Sequence, residues 1–307
     1  MEFLGEIAAI TTAICWAFTS IFFTQAGRII GSFNVNKIRL IMAVTIYCVA
    51  LLITTGRILP ANLTSQQYFW LGLSGVVGLV IGDGAGFKAM VMIGPRLMML
   101  IYSSAPIFAT ILGWLWLGEK LGPYDLLGIA LTIFGISWVV LERKNRSSNY
   151  VQQGHPDSGN LARGVILGII AGMGQGTGLV IAKYGMLSAG ESVPAMPAAF
   201  IRMLAAMAVI WLISGLRGRI PDTIKAVKNA KAMAFSFGGA MFGPFMGVWM
   251  SLVAVQYIEA GIAATLNSTT PIWIIPFVIF FYKEKVSLRA WLGAVITVGG
   301  ITLLMLN

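Results

Sequence analysis

Asp83 is the residue in this sequence with the most to explain. It stands in Gly82-Asp83-Gly84, inside a long apolar run. A carboxylate there is costly to bury, so it must be paired or must face a polar cavity. Lys88, five residues on, and Arg39 are the basic residues available as partners. Two readings stand: a structural ion pair, or a site for a substrate or a proton. Arg39 and Arg202 open apolar runs in matching contexts, Ile38-Arg39-Leu40 and Ile201-Arg202-Met203. Glu119 and Glu284 each precede an apolar run, where a glutamate complements the free amides and dipole of a helix N-terminus. These four suit capping, pairing and anchoring. The other reading is gating charges at two mouths, paired alternately.

Uncharged polar groups cluster in two places. Tyr102-Ser103-Ser104 lies just before Pro106, and Asn267-Ser268-Thr269-Thr270 lies just before Pro271. Proline removes a backbone donor and kinks a helix, and the freed carbonyl needs a partner, often in a polar cavity. Pro106 and Pro271 are therefore candidate hinges. The hydroxyls have a second use, bonding back to their own helix. Trp16 and Gln175 occupy equivalent places in two apolar runs, and Trp249 and Gln256 share another. The expected cavity lining is Trp16, Tyr102, Ser103, Gln175, Trp249, Gln256 and Asn267, with Asp83 as a candidate for proton coupling.

Other chemistries lack their residues. There is no Gly-Lys-Ser/Thr phosphate loop, and no Cys/His cluster has metal-ligand spacing. The single histidine, His155, sits beside Pro156 in a polar stretch, so no imidazole is at hand for a nucleophile in the apolar runs. Cys15 and Cys48 lie in apolar runs and read as free thiols. No cofactor, no metal and no enzymatic activity are expected.

The elements that position these residues follow from composition. Of 307 residues, 58% are hydrophobic and only 10% charged, against roughly 25% charged in a soluble domain. Such a chain must be solvated by lipid, and the bilayer is its first expected partner. Ten apolar segments can be marked, near 4–26, 35–55, 67–89, 94–117, 122–141, 163–186, 196–215, 232–254, 260–282 and 287–306. Their length and all-round apolarity fit helices that satisfy their own backbone, not the shorter alternating strands of a barrel. The expected fold is all-α, integral to the membrane.

The chain also repeats. Pro106 and Pro271, Glu119 and Glu284, Gly128 and Gly293, and Gly135 and Gly300 are each 165 residues apart. The expected units are a first five-helix repeat, 1–141, a polar linker, 142–162, and a second five-helix repeat, 163–307. Five is odd, so the second unit must enter the membrane from the opposite side, as an inverted repeat. Seventeen Lys and Arg fall beside the loops after spans 1, 3, 5, 7 and 9, and four on the other side. The richer side is expected to be cytoplasmic, with both termini outside, in a cell inner membrane. The net charge of +10 therefore reads as membrane orientation and not nucleic-acid binding. Gly78/Gly82/Gly86, Gly168/Gly172/Gly176 and Gly239/Gly243/Gly247 recur at four-residue spacing, which lets helices approach closely.

Taken together these features resemble the drug/metabolite transporter superfamily, EamA-type branch. The resemblance rests on the matched Ile-Arg-Leu/Met openings and on proline followed by Gly118-Glu119-Lys120-Leu121 or Lys283-Glu284-Lys285-Val286. It rests also on Ile81-Gly82-Asp83, Lys88-Ala89 and Ile93-Gly94-Pro95-Arg96. It implies a ten-helix transporter whose cavity is lined by helices 1, 3, 4, 6, 8 and 9. It further implies a small-molecule substrate such as an amino acid, usually exported. Protons are the candidate coupling ion, and neither sequence nor resemblance fixes the oligomeric state.

Overall fold

A computed structural model describes residues 3–58, 63–117, 122–146, 161–188, 192–258, 263, 266–282 and 287–303. Among these residues the regular structure is helical, with no strand. The helices are α1 (Leu4–Ile30), α2 (Ser32–Thr55), α3 (Ser65–Ile93), α4 (Pro95–Tyr102), α5 (Ala105–Leu117) and α6 (Pro123–Arg146). They continue as α7 (Leu161–Leu187), α8 (Ala195–Leu216), α9 (Ile220–Val227), α10 (Ala230–Tyr257), α11 (Thr270–Tyr282) and α12 (Leu288–Leu303). Seven helical stretches are long and apolar enough to cross a bilayer. Large apolar side chains such as Ile53 (80% exposed), Leu216 (81%) and Phe280 (78%) point outward. Such a surface suits lipid and not water. The chain is a multi-pass membrane protein.

Helix α6 runs on to Arg146, beyond the expected boundary at 141; of the polar linker, 147–160 lie outside the described residues. The short helix α9 was not expected from the sequence.

Two connections are a single glycine. Gly31 joins α1 to α2 at φ 80°, and Gly94 joins α3 to α4 at φ 81°. Side chains disfavour that region, so glycine is needed at both. Pro95 then starts α4 with its fixed φ and no amide to leave unmet.

Packing runs across the two halves. Helix α1 lies against α10 and α11, while its sequence equivalent α7 lies against α3, α4 and α5. Helix α2 packs on α8, and α6 on α12. The α6–α12 contact is reciprocal in detail. A side chain at Gly135 would strike Thr297 and the backbone at Gly293, and one at Gly300 would strike Thr132 and the backbone at Gly128. Thr132 and Thr297 each bond back to their own helix at 2.8 Å, on Gly128 and Gly293. The same patch thus meets itself, as in an isologous interface.

Within α3 and α10 the winding loosens to π-helix at equivalent places, Val76–Gly82 and Met241–Gly247. Pro244 lies inside the second, but Leu79 holds its place in the first. Proline is therefore not the common cause. Both segments carry glycines at the same two positions, Gly78/Gly82 and Gly243/Gly247, each against a neighbouring helix.

Candidate functional site

The fourth span is not continuous. Helix α4 stops at Tyr102, Ser103 and Ser104 form a turn, and α5 starts at Ala105. In the other half α11 starts at Thr270 after a turn at Ser268–Thr269. Pro106 and Pro271 therefore sit in the first turn of a new helix, where the missing amide costs nothing. They do not kink a continuous helix, as the sequence reading had them; the serine–threonine turns make the break. The new helices begin alike, Ile107 N bonding Ser104 O at 3.0 Å and Ile272 N bonding Thr269 O at 2.8 Å.

A cavity opens at these breaks, with about 580 Å³ of unfilled space, part of it open at the mouth. Helix α1 contributes Trp16, α7 contributes Gln175, Gly176 and Leu179, and α10 contributes Ser251. The α4–α5 break supplies Met99, Tyr102, Ser103, Ala105, Pro106 and Ala109, and the segment before α11 supplies Asn267, Ser268 and Thr270. Ser103 Oγ donates to Met99 O at 3.1 Å and across to Ser268 O at 3.3 Å. Trp16 and Tyr102 meet with ring centroids 6.2 Å apart. Among the described residues the amide oxygens of Gln175 and Asn267 are buried without a hydrogen-bond partner, as is Ser104 Oγ. Glycine at 176 keeps α5 close, since a side chain there would strike Ala105.

Of the seven residues expected to line the site, Trp16, Tyr102, Ser103, Gln175 and Asn267 do so. Trp249 and Gln256 lie outside this lining. Trp249 packs on Phe245, centroids 5.9 Å apart. Gln256 is exposed one residue before the end of α10 and donates to Val193 O at 3.2 Å.

Behind Tyr102 lies a charged cluster. Asp83 follows the π segment of α3 and is 3% exposed. Arg39 Nη2 meets its Oδ2 at 2.8 Å, so of the two partners considered Arg39 is the one and not Lys88. The Tyr102 hydroxyl reaches Asp83 Oδ1 at 3.4 Å, linking the carboxylate to the cavity. Arg39 Nε donates to Asn36 Oδ1 at 2.8 Å, and Arg39 Nη2 and Asn36 Nδ2 each donate to Leu79 O at 3.2 Å. The guanidinium also lies over the Phe87 ring, 4.7 Å from its centroid. The equivalent carbonyl in α10, Pro244 O, accepts from the Tyr47 hydroxyl at 3.0 Å, and Phe245 O accepts from the same hydroxyl at 2.9 Å.

Arg39 and Arg202 are fully enclosed, so neither stands at a mouth. The single-residue turn at Gly31 brings the start of α2 inward, which the sequence reading, placing Lys37 and Arg39 beside a loop, did not anticipate. Lys37 is buried too. It donates to Ser214 Oγ at 3.0 Å, to Arg219 O at 3.2 Å and to Thr223 Oγ1, so it fastens α2 to α8 and α9. Lys88 is half-buried, and Glu119 and Glu284 lie outside the described residues. Cys15 and Cys48 are free thiols. Asn36, Lys37 and Tyr47 were missed; their one signal was polarity near the start and middle of a span.

Comparison with known proteins agrees with this architecture. A family model described as "EamA-like transporter family" matches residues 3–141 and again 162–306. An "uncharacterized transporter" of Archaeoglobus fulgidus is 20% identical over 303 residues, covering 99% of this chain and 98% of that one. Another "uncharacterized transporter", of Haemophilus influenzae, is 25% identical over 183 residues, covering 60% of this chain and 55% of that protein. One solved crystal structure superposes with a TM-score of 0.64 at 13% identity, covering 99% of this chain and 96% of the other; that likeness concerns the fold.

Proposed function

The chain belongs to the EamA-like transporter family, and we propose that it is a secondary transporter moving a small amphipathic metabolite by alternating access. The proposed direction is export, and the proposed substrate class is amino acids and similar solutes. The single observation that carries this reading is the meeting of the two helix breaks. Ser103 bonds Ser268, its own equivalent, at the cavity wall. A pseudo-two-fold axis through that bond relates the halves 1–141 and 163–307, with 142–162 joining them. Ten spans, five to each half, make the axis lie in the membrane plane and the repeat inverted. Such an axis makes the cavity equally reachable from either side as the halves rock. The paired glycine contacts along α3, α7 and α10 give that rocking close contacts to move on.

The excess of Lys and Arg beside the odd-numbered loops supports an inner-membrane placement with cytoplasmic loops on that side and both termini outside. We propose no catalytic role. Among the described residues Asp83 is the one fully buried carboxylate, and it is committed to Arg39. Its link through Tyr102 to the cavity makes it the proposed coupling residue, with protons as the coupling ion.

The test is a proteoliposome assay of a metabolite panel, with and without an imposed pH gradient. A carrier concentrates solute against its gradient when protons drive it, and a channel does not. Asp83→Asn is expected to remove that drive. Unchanged transport and unchanged pH dependence in Asp83→Asn would sink the coupling role.

A further inference from the structure

Helix α9 (Ile220–Val227) has no part in the cavity or in the charged cluster behind it. Helix α8 ends at the exposed Leu216, and Gly218, at φ 63°, turns the chain into α9. Asn229 follows and caps α10, its side chain accepting from the amide of Ala232 at 2.9 Å. A short helix set between the ends of two membrane-length helices lies at the level of the lipid headgroups.

Its three sides differ. Thr223 and Ala226 are buried against the protein. Ile220, Ile224 and Val227, four and three residues apart, share an exposed apolar edge, and Ile224 is 59% exposed. Asp222 and Lys225 occupy the third side. The surrounding chain is basic. Between 217 and 231 the exposed residues Arg217, Arg219, Lys225, Lys228 and Lys231 face a single acid, Asp222. The inner side is fastened: Thr223 Oγ1 accepts from the buried Lys37 Nζ, which also donates to Arg219 O at 3.2 Å, and Thr223 donates to Asn34 Oδ1 at 3.2 Å. These bonds hold α9 to the start of α2, so its apolar edge and its cations are presented together in one orientation.

We infer that α9 is an interfacial helix that docks on anionic phospholipid, with Ile220, Ile224 and Val227 among the acyl chains and Lys225 and Lys228 on headgroup phosphates. An apolar edge draws such a helix into the headgroup boundary, and an excess of cations selects acidic lipid. The long stems of lysine and arginine let their charges reach the phosphates while the apolar edge stays in lipid. This docking is independent of which solute is carried.

The experiment is native mass spectrometry of the full chain in detergent, with phosphatidylglycerol or phosphatidylcholine added. The wild type is expected to prefer phosphatidylglycerol by more than tenfold. Lys225→Gln combined with Lys228→Gln should remove most of that preference, about fivefold per charge. Arg57→Gln combined with Lys183→Gln, an equal loss of charge elsewhere, should leave it in place. A wild type without the preference overturns the inference, as does a preference that survives Lys225→Gln with Lys228→Gln. Equal affinity for free glycerol phosphate would make this a soluble-anion site and overturn it too. The same spectra report assembly, and a dimer lost in Ile224→Asp would assign the edge to a second copy of the chain instead. In bilayers of the same lipids, with Cys48→Ser as background, nitroxides at Ile224→Cys and Lys225→Cys read the insertion. The first should collide more with oxygen than with a water-soluble nickel chelate, and the second the reverse. Identical collision at both sites overturns the inference.

Discussion

Ser103 donates from its Oγ to the backbone carbonyl of Ser268, and the two residues are 165 positions apart in one chain. They are equivalent members of the two halves, so the bond lies where the halves meet at like places. It is also asymmetric, since one side gives a hydroxyl and the other a carbonyl.

That asymmetry is testable. Ser103→Ala should lower stability by about 1 kcal/mol, the usual net worth of such a bond, while Ser268→Ala keeps the accepting carbonyl and should cost much less. Thermal unfolding of the two variants in the same lipid measures it. Equal losses would show that the crossing bond carries no net stability.

The Arg39–Asp83 pair should show the penalty of leaving one buried charge alone. Asp83→Ala or Arg39→Ala is expected to cost about 3–5 kcal/mol, and replacing both by apolar residues of similar volume should recover most of it. A double-mutant cycle on unfolding reads this. A double replacement no better than either single would mean that the partners stabilise through separate contacts.

The glycine contacts differ in how they can be repaired. The nearest atoms to a side chain at Gly239 are those of the Phe23 ring, so Gly239→Ala should be rescued by Phe23→Leu. At Gly135 the obstacles include backbone atoms of α12, so Gly135→Ala should lose folded yield and Thr297→Ala should not restore it. Folded yield after gel filtration compares the two repairs.

Pro244→Leu tests the origin of the π segments. Leu79 stands at the equivalent place inside an equally long π segment without any proline. The variant should therefore keep the loosened winding, with a stability change below about 1 kcal/mol. A structure of the variant showing an unbroken α-helix through Met241–Gly247 would assign the cause to proline after all.

Much of this fold was legible in the sequence because duplication leaves paired marks. Pro106 with Pro271, and Gly135 with Gly300, gave the offset that the reciprocal α6–α12 contact and the two breaks now share. The breaks themselves were misread as kinks, because a proline in an apolar run does not say whether it stands inside a helix or at its start. Gln256 was misplaced for want of a helix end. Seen alone it is an amide in a long apolar run, but α10 ends at Tyr257, past the level of the cavity. The π segments were not legible, since Leu79 and Pro244 share no chemistry and the matched glycines Gly78/Gly82 and Gly243/Gly247 read only as close helix contacts. Arg39 was half legible: its pairing with Asp83 was among the options, but its burial depended on a one-glycine turn that only the backbone reveals.

Helix α2 touches both loosened segments at the same point. Arg39 and Asn36 hold the carbonyl of Leu79, and Tyr47 holds that of Pro244. Arg39 and Tyr47 are eight residues apart, about 12 Å along one rigid rod. A tilt of that rod that loosens one grip necessarily alters the other. In the alternating-access transporter proposed above, α2 would link the two segments like the beam of a balance, so that both grips could not loosen independently.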